Sequence, residues 1–271
     1  MHALLENPAE DGPAAAKLGA ALVTGGRLGI GRAICLELAR RGFDIGFVDR
    51  VEDDNVAETL SLIAGTGRRG HFMPLDIAAI DDHAAIVTEM ADELGSLNCL
   101  VNNAGVQVSV RGDMMDIDRY EFDRLVGVNL RGTFFLTQAI ARQMLAVEAP
   151  GVERSIITIT SANAHLVSPE KAAYCISKAA LSMAVQNYAL RLAEAGIRVH
   201  EVRPGLIKTD MTADVYDRYS PGMLNGDLCA LRRWGEPSDI ALAIGTLATG
   251  AMPYSTGDIY NVGGGLQMPR L

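Results

Sequence analysis

The chain has 271 residues, enough for one large domain or two small ones, and its 49% hydrophobic and 21% charged residues are typical of a globular protein. The formal net charge of −9 argues against nucleic acid or an anionic membrane surface as a main partner. No apolar run approaches transmembrane length, and residues 1–17 lack the pattern of a signal peptide. We therefore expect a flexible N-terminal tail over 1–17 and no membrane partner.

Cysteine and histidine usage indicates neither disulfides nor a metal site. The four cysteines (Cys35, Cys99, Cys175 and Cys229) are scattered without CxxC spacing, which predicts free thiols in a cytoplasmic protein. The five histidines show no metal-ligand spacing.

Strand-like and helix-like runs alternate along the chain. Strands are predicted at 20–24, 43–49, 71–76, 97–102, 155–160, 197–203 and 258–262. Helices are predicted at 29–41, 52–64, 80–94, 118–146, 169–195 and 237–249. This alternation predicts a single Rossmann-type domain over 18–271, a doubly wound parallel sheet of seven strands with helices on both faces.

The first predicted strand leads directly into a glycine-rich turn, TGGRLGIG, and then a helix. Gly25 permits a sharp turn, Gly29 lets backbone N–H groups approach a pyrophosphate, and Gly31 allows helix and strand to pack closely. Because the turn lies between a strand and a helix, it predicts a dinucleotide-binding site near the start of the chain.

An acidic residue, Asp49, ends the second predicted strand. Its carboxylate can accept hydrogen bonds from the adenosine ribose and would repel the 2′-phosphate of NADP, so NAD(H) is the expected cofactor. Arg50 and Arg27 could instead turn toward a phosphate, or simply be solvated. They leave NADP(H) as the alternative.

Three polar residues follow the fifth predicted strand. Ser161 comes at the strand's end, and Tyr174 and Lys178 lie one turn apart on a helix that Ser168 is expected to cap and Gly196 to end. Strand-end serines and surface Tyr/Lys pairs are common, so these residues gain meaning only in combination with the glycine turn.

In combination, TGGRLGIG, LVNNAG (100–105), VNL (128–130), Ser161 and YCISK resemble the short-chain dehydrogenase/reductase family over about residues 18–265. The segments TGGRLGIGRAI, RPGLIKTDM, RWGEPSDIA and STGDIYNVGGG are most similar to its 3-oxoacyl-[acyl-carrier-protein] reductase branch. The resemblance implies an oxidoreductase that interconverts a ketone and a secondary alcohol with NAD(P)(H).

The resemblance also implies roles for individual residues. The implied catalytic residues are Asn129, Ser161, Tyr174 and Lys178. The implied cofactor contacts are Gly25, Arg27, Leu28, Gly29, Ile30, Gly31, Asp49, Asp76, Ile77, Asn103, Tyr174, Lys178, Pro204, Ile207 and Thr209. NADP-using relatives often carry a basic residue just before the second glycine; here Leu28 occupies that position, which favours NAD.

These roles make a physical mechanism for proton transfer. An ammonium about 4 Å from a phenolate stabilises it by roughly 4 kcal/mol at an effective dielectric of about 20. Lys178 is therefore expected to lower the pKa of Tyr174 by up to roughly 3 units from about 10. Ser161 would orient the substrate oxygen, Lys178 would also hold the nicotinamide ribose, and Asn129 would hold a relay water or satisfy a kinked helix.

The substrate is less well defined by the sequence. Residues 164–171 and 209–235 should shape its pocket, and turn-rich chemistry at SPGMLNGD makes the second segment a candidate lid. An acyl carrier protein would require a basic docking surface, but the basic residues are scattered: Arg111, Lys171, Lys208, Arg232 and Arg233. The substrate is therefore expected to be a small molecule or a thioester of acyl carrier protein or coenzyme A.

Alternatives from other classes remain at this stage. A polyol or sugar dehydrogenase would use the same chemistry in a more polar pocket. A nucleotide-sensing protein could use the same fold without catalysis, although it would not need Ser161 or Tyr174. The resemblance further implies a homotetramer built through the 118–146 and 169–195 helices and the C-terminal strand.

Overall fold

The computed structural model describes residues 18–147 and 151–269, so the tail predicted over 1–17 lies outside the described residues. All seven described strands belong to one parallel sheet, in the order β3-β2-β1-β4-β5-β6-β7. The strands are β1 Ala20–Thr24, β2 Asp44–Asp49, β3 Gly70–Pro74, β4 Leu97–Asn102, β5 Arg154–Ile159, β6 Ile197–Pro204 and β7 Ile259–Val262. The predicted seven-stranded parallel sheet is confirmed.

Helices cover both faces of this sheet. They are α1 Gly29–Arg40, α2 Asp54–Ala64, α3 His83–Leu94, α4 Arg119–Val126, α5 Thr133–Ala146, α6 Ala172–Leu192, α7 Tyr216–Asn225 and α8 Pro237–Ala248. Residues of α1, α2 and α8 form one apolar core with the sheet, and residues of α3, α5 and α6 form the other. Successive strand residues alternate between the two cores, as Leu22 and Val23 do, and so the strands are apolar on both sides.

Three local details differ from the sequence-based expectation. The helix predicted over 118–146 is divided by a π-helical segment, Gly127–Gly132, into α4 and α5. Ser168 makes no side-chain capping bond, and the helix that follows Pro169 starts as a 3-10 turn. The segment predicted to be turn-rich forms α7, which continues through Pro221. Gly196, in contrast, ends its helix in the left-handed conformation as predicted.

The strand order reverses direction between β1 and β4. Because β1 connects outward to β2 and the chain then returns to β4, the loops that follow these strands diverge and leave a crevice at their carboxyl ends. This is the edge of the sheet at which the predicted site residues lie.

Candidate active site

A crevice of about 580 Å³ opens at the carboxyl edge of the sheet. It brings together most of the predicted residues from distant parts of the chain. Those that line it are Gly25, Leu28, Gly29, Ile30, Gly31, Asp49, Asp76, Ile77, Asn103, Ser161, Tyr174, Lys178, Pro204, Ile207 and Thr209. Arg27 and Asn129 do not line it.

The glycine turn forms one wall of the crevice. Gly25 and Gly29 have φ angles of +67° and +58°, which favour glycine, and a side chain at Gly31 would overlap the carbonyl oxygen of Gly25. The sequence suggested that Gly31 packs against a strand, but in the structure it packs against the turn itself. Leu28 precedes α1 without any side-chain cap, so no side chain occupies the N–H groups at this helix end.

Two polar residues fasten the glycine turn to the loop after β4. The hydroxyl of Thr24 accepts hydrogen bonds from the backbone N–H groups of Asn103 and Ala104, at 3.0 and 2.9 Å. The Asn103 amide donates to the carbonyl oxygens of Thr24 and Gly25, at 2.9 and 3.1 Å. The Asn103 side chain thus fixes the shape of the turn while the residue borders the crevice.

The end of β2 carries an acidic pair that holds Arg27. The guanidinium of Arg27 lies 3.6 Å from an Asp49 oxygen and forms a second ion pair with Asp53. Asp53 also caps α2 by accepting from the backbone N–H of Asn55. Asp49 lines the crevice, whereas Arg27, paired with both carboxylates, does not.

The loop after β3 places Asp76 and Ile77 at the crevice. Asp76 accepts a hydrogen bond of 2.9 Å from the backbone N–H of Ala78, which orders the loop. The carbonyl oxygen of Ile77 lies 2.9 Å from Nε2 of the buried His83 and against Gly132, where a Cβ would overlap it. Burial lowers the pKa of His83, and we interpret this histidine as a structural partner of the loop.

The predicted serine and tyrosine meet at the catalytic end of the crevice. Ser161 follows β5 and lines this end of the crevice together with the buried Tyr174 of α6. Burial raises the pKa of Tyr174, and the Ser161 hydroxyl acts in the opposite direction. The phenol is therefore protonated at neutral pH in this structure.

Lys178 is also buried and lies at the centre of the site. Its ammonium donates a hydrogen bond of 3.1 Å to the carbonyl oxygen of Ile159 and lies 5.8 Å from the centroid of the Tyr174 ring. The sequence predicted that Lys178 lowers the pKa of Tyr174, but this lowering is not seen. Burial has the largest effect on that pKa and raises it. Burial also lowers the pKa of Lys178 to about 8, with the charge of Glu201 acting in the opposite direction.

Asn129 is fully buried behind the crevice, in the π-helical segment. Its amide exchanges hydrogen bonds with the backbone of Val106, at 2.8 and 3.0 Å, and donates to the hydroxyl of Ser177 at 3.1 Å. Asn129 thus connects the loop after β4 to α6 one residue before Lys178. These bonds are structural, but they reach the loop after β4 and α6 rather than the backbone of the kinked helix that was expected. They are compatible with the relay-water role, which stays a prediction.

A buried acid behind Lys178 was missed by the sequence reasoning. Glu201 of β6 accepts hydrogen bonds from the hydroxyls of Thr160 and Ser182, at 2.5 and 2.6 Å, and pairs with Arg203 at 2.6 Å. Thr160 precedes Ser161, and Ser182 lies one helical turn after Lys178. The detectable signal was a glutamate in the middle of the predicted strand IRVHEVR.

The opposite wall of the crevice comes from the segment after β6. Thr209 starts a 3-10 turn with a capping box that involves Thr212, and α7 follows. The α7 segment rests on a small apolar core in which the rings of Tyr216 and Trp234 stack at 4.9 Å. Part of this wall, including Tyr219, lines the crevice.

Two cations that appeared scattered in the sequence lie together at this end of the crevice. Both Arg111, in the loop after β4, and Lys171, at the entry to α6, line it. The Lys171 ammonium is 5.5 Å from the centroid of the Tyr174 ring. Sequence spacing could not reveal this pair, because sixty residues separate its members.

The residues present fit a dinucleotide. The glycine turn with its uncapped helix end suits a pyrophosphate, Asp49 suits a ribose diol, and the catalytic end holds Ser161, Tyr174 and Lys178. Among residues 18–147 and 151–269, we find no group of three or more His, Cys, Asp or Glu side chains arranged to hold a metal. In the same ranges no helix is long and apolar enough to span a membrane.

Comparisons with known proteins agree with this site. A family model described as Enoyl-(Acyl carrier protein) reductase matches residues 25–267. A 3-oxoacyl-[acyl-carrier-protein] reductase of Staphylococcus epidermidis is 32% identical over 92% of this chain and 98% of its own length. A 3-oxoacyl-[acyl-carrier protein] reductase of Brucella melitensis, crystallised in complex with NAD, is 45% identical, with a TM-score of 0.90 over 93% of this chain and 98% of that one.

A protein described as acetoin dehydrogenase is also similar. The crystal structure of the enzyme from Enterobacter cloacae is 30% identical, with a TM-score of 0.82 over 94% of this chain and 98% of that one. The shared fold, the meeting of the predicted catalytic residues Ser161, Tyr174 and Lys178 at one crevice, and these relatives lead to one conclusion. The chain belongs to the short-chain dehydrogenase/reductase family and is an oxidoreductase that acts on CH–OH groups.

Proposed function

We propose that this oxidoreductase reduces 3-oxoacyl thioesters to 3-hydroxyacyl thioesters with NADH. The observation that carries the proposal is that Ser161, the buried Tyr174 and Lys178 line the same crevice as the glycine turn. A phenol that keeps its proton at neutral pH is suited to act as a general acid, the role that reduction of a ketone requires. The relatives named as 3-oxoacyl-[acyl-carrier-protein] reductases support the thioester.

Ser161, Tyr174 and Lys178 have separate roles in this reaction. Reduced nicotinamide supplies the hydride to the carbonyl carbon. The Ser161 hydroxyl holds the carbonyl oxygen, and Tyr174 donates the proton that this oxygen needs as the new C–H bond forms. Lys178, fixed by Ile159, keeps a positive charge near the phenol once its proton has left.

We propose NAD(H) rather than NADP(H) as the cofactor. Asp49 presents a carboxylate to the crevice, and Arg27 is already paired with Asp49 and Asp53. Arg50 also lines the crevice and is the cation that NADP(H) would use. Binding NADP(H) would nevertheless bring a second negative group beside Asp49.

The test is a steady-state assay of the purified protein with acetoacetyl-coenzyme A, acetoacetyl-acyl carrier protein and NADH or NADPH. We expect turnover of the thioesters with a preference for NADH. The proposal fails if no thioester is reduced while a neutral hydroxy ketone such as acetoin is a good substrate. That result would favour the second candidate, a dehydrogenase of small neutral alcohols, which the similarity to the Enterobacter cloacae enzyme supports.

We also propose that the chain forms a homotetramer through its α5 and α6 helices. Ile176, Met183 and Leu190 are spaced seven residues apart on α6 and are 49, 58 and 84% exposed, and Phe135 of α5 is also exposed. Such an apolar stripe on the surface is typical of a protein interface. Light scattering should give the mass of a tetramer for the native chain and a smaller mass for Leu190→Glu; a monomeric native chain would contradict the proposal.

A further inference from the structure

The crevice has a positively charged end beside the catalytic tyrosine. Arg111 and Lys171 both line it, and Lys171 Nζ lies 5.5 Å from the centroid of the Tyr174 ring. Two cations in one crevice repel each other, so their arrangement is unfavourable unless an anion is bound between or beside them. We therefore ask whether the neighbouring carboxylates, Asp214 and Glu170, already form ion pairs with Arg111 and Lys171.

Arg111 is incompletely satisfied by the protein. Its side chain is 17% exposed, and its ion pair is a long one, 3.4 Å from Nε to the largely exposed Asp214. Nη1 of Arg111 is buried and has no hydrogen-bond partner among the described residues. A buried guanidinium N–H without a partner is costly, and this one belongs to a residue that lines the crevice.

Lys171 has no carboxylate within ion-pair distance among the described residues, although Glu170 is its neighbour in sequence. Glu170 is taken by the guanidinium of Arg218, which it binds through both oxygens at 2.9 and 3.1 Å. Burial lowers the pKa of Lys171, and the positive charge of Arg111 lowers it further, in keeping with two cations held close together. The charges of Asp214 and Glu170 act in the opposite direction, but neither carboxylate lies within ion-pair distance of Lys171.

We propose that Arg111 and Lys171 form a subsite for a carboxylate of the substrate, and that the enzyme therefore also reduces 3-oxo acids with a free carboxyl group. Because Lys171 lies against the Tyr174 ring, this subsite is next to the group proposed to protonate the ketone oxygen. A 3-oxo acid carries its carboxylate two bonds from the ketone carbon, whereas the charged groups of a coenzyme A or carrier-protein thioester lie many bonds away.

The proposal rests on the proposed reduction of ketones and uses the same step. The ketone carbon accepts a hydride from the reduced nicotinamide nucleotide. The C=O π bond breaks, its electron pair goes to the oxygen, and a C–O single bond remains. The oxygen takes the proton of Tyr174, and solvent returns a proton to the phenol. One 3-oxo acid, one reduced cofactor and one proton give one 3-hydroxy acid and one oxidised cofactor, while the carboxylate is unchanged.

The experiment compares acetoacetate with its neutral ethyl ester, which keeps the ketone but lacks the carboxylate, in the native enzyme and in Arg111→Gln and Lys171→Met. For acetoacetate we expect each substitution to lower kcat/KM by about 10- to 100-fold, since each removes a charge-assisted hydrogen bond. For the ethyl ester we expect a change of less than about threefold. Lys171→Arg, which keeps the charge, should restore most of the activity on acetoacetate.

Arg40→Gln is the matched control, because it removes one exposed positive charge at the far end of α1, outside the crevice. It should leave both substrates unaffected. The subsite is refuted if the Arg111 and Lys171 variants lose activity equally on the acid and the ester, or if the native enzyme reduces the ester or the thioester but not acetoacetate. The second result would leave the proposed thioester reductase intact.

A binding measurement separates the subsite from turnover. Calorimetric titration of 3-hydroxybutyrate into the NAD-loaded native enzyme should show saturable binding, weakened about tenfold or more in Arg111→Gln. If no ketone is reduced, the proposed function fails, and this titration alone decides the subsite. Equal binding by native enzyme and variant, or no binding by either, would refute it.

Discussion

The carboxylate of Glu201 accepts a hydrogen bond of 2.6 Å from the hydroxyl of Ser182, one helical turn beyond Lys178. This contact places a fully buried negative charge behind the catalytic lysine. Arg203 and Thr160 bind the same carboxylate, so its charge is fixed in position rather than mobile. Glu201 touches neither Tyr174 nor the crevice, and we regard it as a positioning residue that keeps Lys178 protonated.

The first prediction concerns this electrostatic support. Burial lowers the pKa of Lys178 to about 8 and Glu201 opposes the fall, so Glu201→Gln should lower that pKa further. The protonated lysine would then be lost at a lower pH. The basic limb of the pH profile of kcat/KM should shift down by roughly one pH unit. Ser182→Ala, which keeps the carboxylate, is the control, and an unmoved basic limb in Glu201→Gln would contradict the role.

The second prediction concerns the proton donor. Tyr174→Phe removes the only atom of this side chain that can give a proton to the substrate oxygen, and kcat should fall by about 10²- to 10⁴-fold. Because the glycine turn and Asp49 are untouched, NADH should still bind, as fluorescence titration can show. Tyr254→Phe, on a fully exposed ring, is the control. Near-native turnover in Tyr174→Phe would remove the basis of the mechanism. A native chain that binds NADH but reduces no substrate would instead favour a purely nucleotide-sensing role.

The third prediction concerns cofactor choice. Asp49→Asn removes the carboxylate that would repel a 2′-phosphate and releases one partner of Arg27. The ratio of kcat/KM with NADPH to that with NADH should rise by about tenfold or more, equivalent to about 1.4 kcal/mol. Asp53→Asn also frees Arg27 but keeps Asp49, and so it separates the two contributions. A ratio unchanged by Asp49→Asn would show that this carboxylate does not select the cofactor.

The fourth prediction tests the packing of the π-helical segment with a matched pair of glycines. Gly127 and Gly132 both have helical backbone angles. A Cβ at Gly132 would overlap the carbonyl oxygen of Ile77, whereas a Cβ at Gly127 would meet nothing within 4 Å. Gly132→Ala should lower the free energy of unfolding by about 1–3 kcal/mol, and Gly127→Ala should change it by less than about 1 kcal/mol or raise it. Denaturant unfolding measures both, and equal effects would contradict the contact with Ile77.

The fifth prediction concerns acid stability. Hydrogen bonds from Arg124 are the main reason that the pKa of Glu121 falls from 4.5 to about 2. A lowered pKa means that this carboxylate stabilises the fold above pH of about 4.5 and loses that effect as the pH falls toward 2. Glu121→Gln should therefore lower Tm at pH 7, with a difference from the native chain that shrinks as the pH falls toward 2. Glu89→Gln on α3 is the control; a constant difference at all pH values would contradict the linkage.

Much of the fold could be predicted because its signals are local. Apolar strands with β-branched residues, such as SIITIT, and the glycine turn identify their own structures from a few neighbouring residues. Gly196 was predicted correctly because a left-handed helix end depends on one residue. The π-helical segment was only partly visible, since Gly127 and Gly132 indicate an interruption but the contact of Gly132 with Ile77 is a tertiary one.

The errors have tertiary causes as well. The segment around Pro221 lacks helical periodicity, yet it forms α7 because Met223 and Tyr216 pack on a local core with Trp234. The pKa of Tyr174 moved against expectation because a helical spacing gives proximity to Lys178 but says nothing about burial. Arg111 and Lys171 are far apart in the sequence, and only the folded chain brings them to the same crevice. Their proximity was therefore not predicted.

The order of the strands has a consequence for how this protein can change. The glycine turn and Asp49 lie within the first fifty residues, while Ser161, Tyr174 and the 209–235 segment come from the second half of the chain. The later half nevertheless also supplies expected cofactor contacts, such as Lys178 and Pro204. Substitutions confined to residues 210–235 can therefore reshape one wall of the crevice while the glycine turn and Asp49 stay as they are.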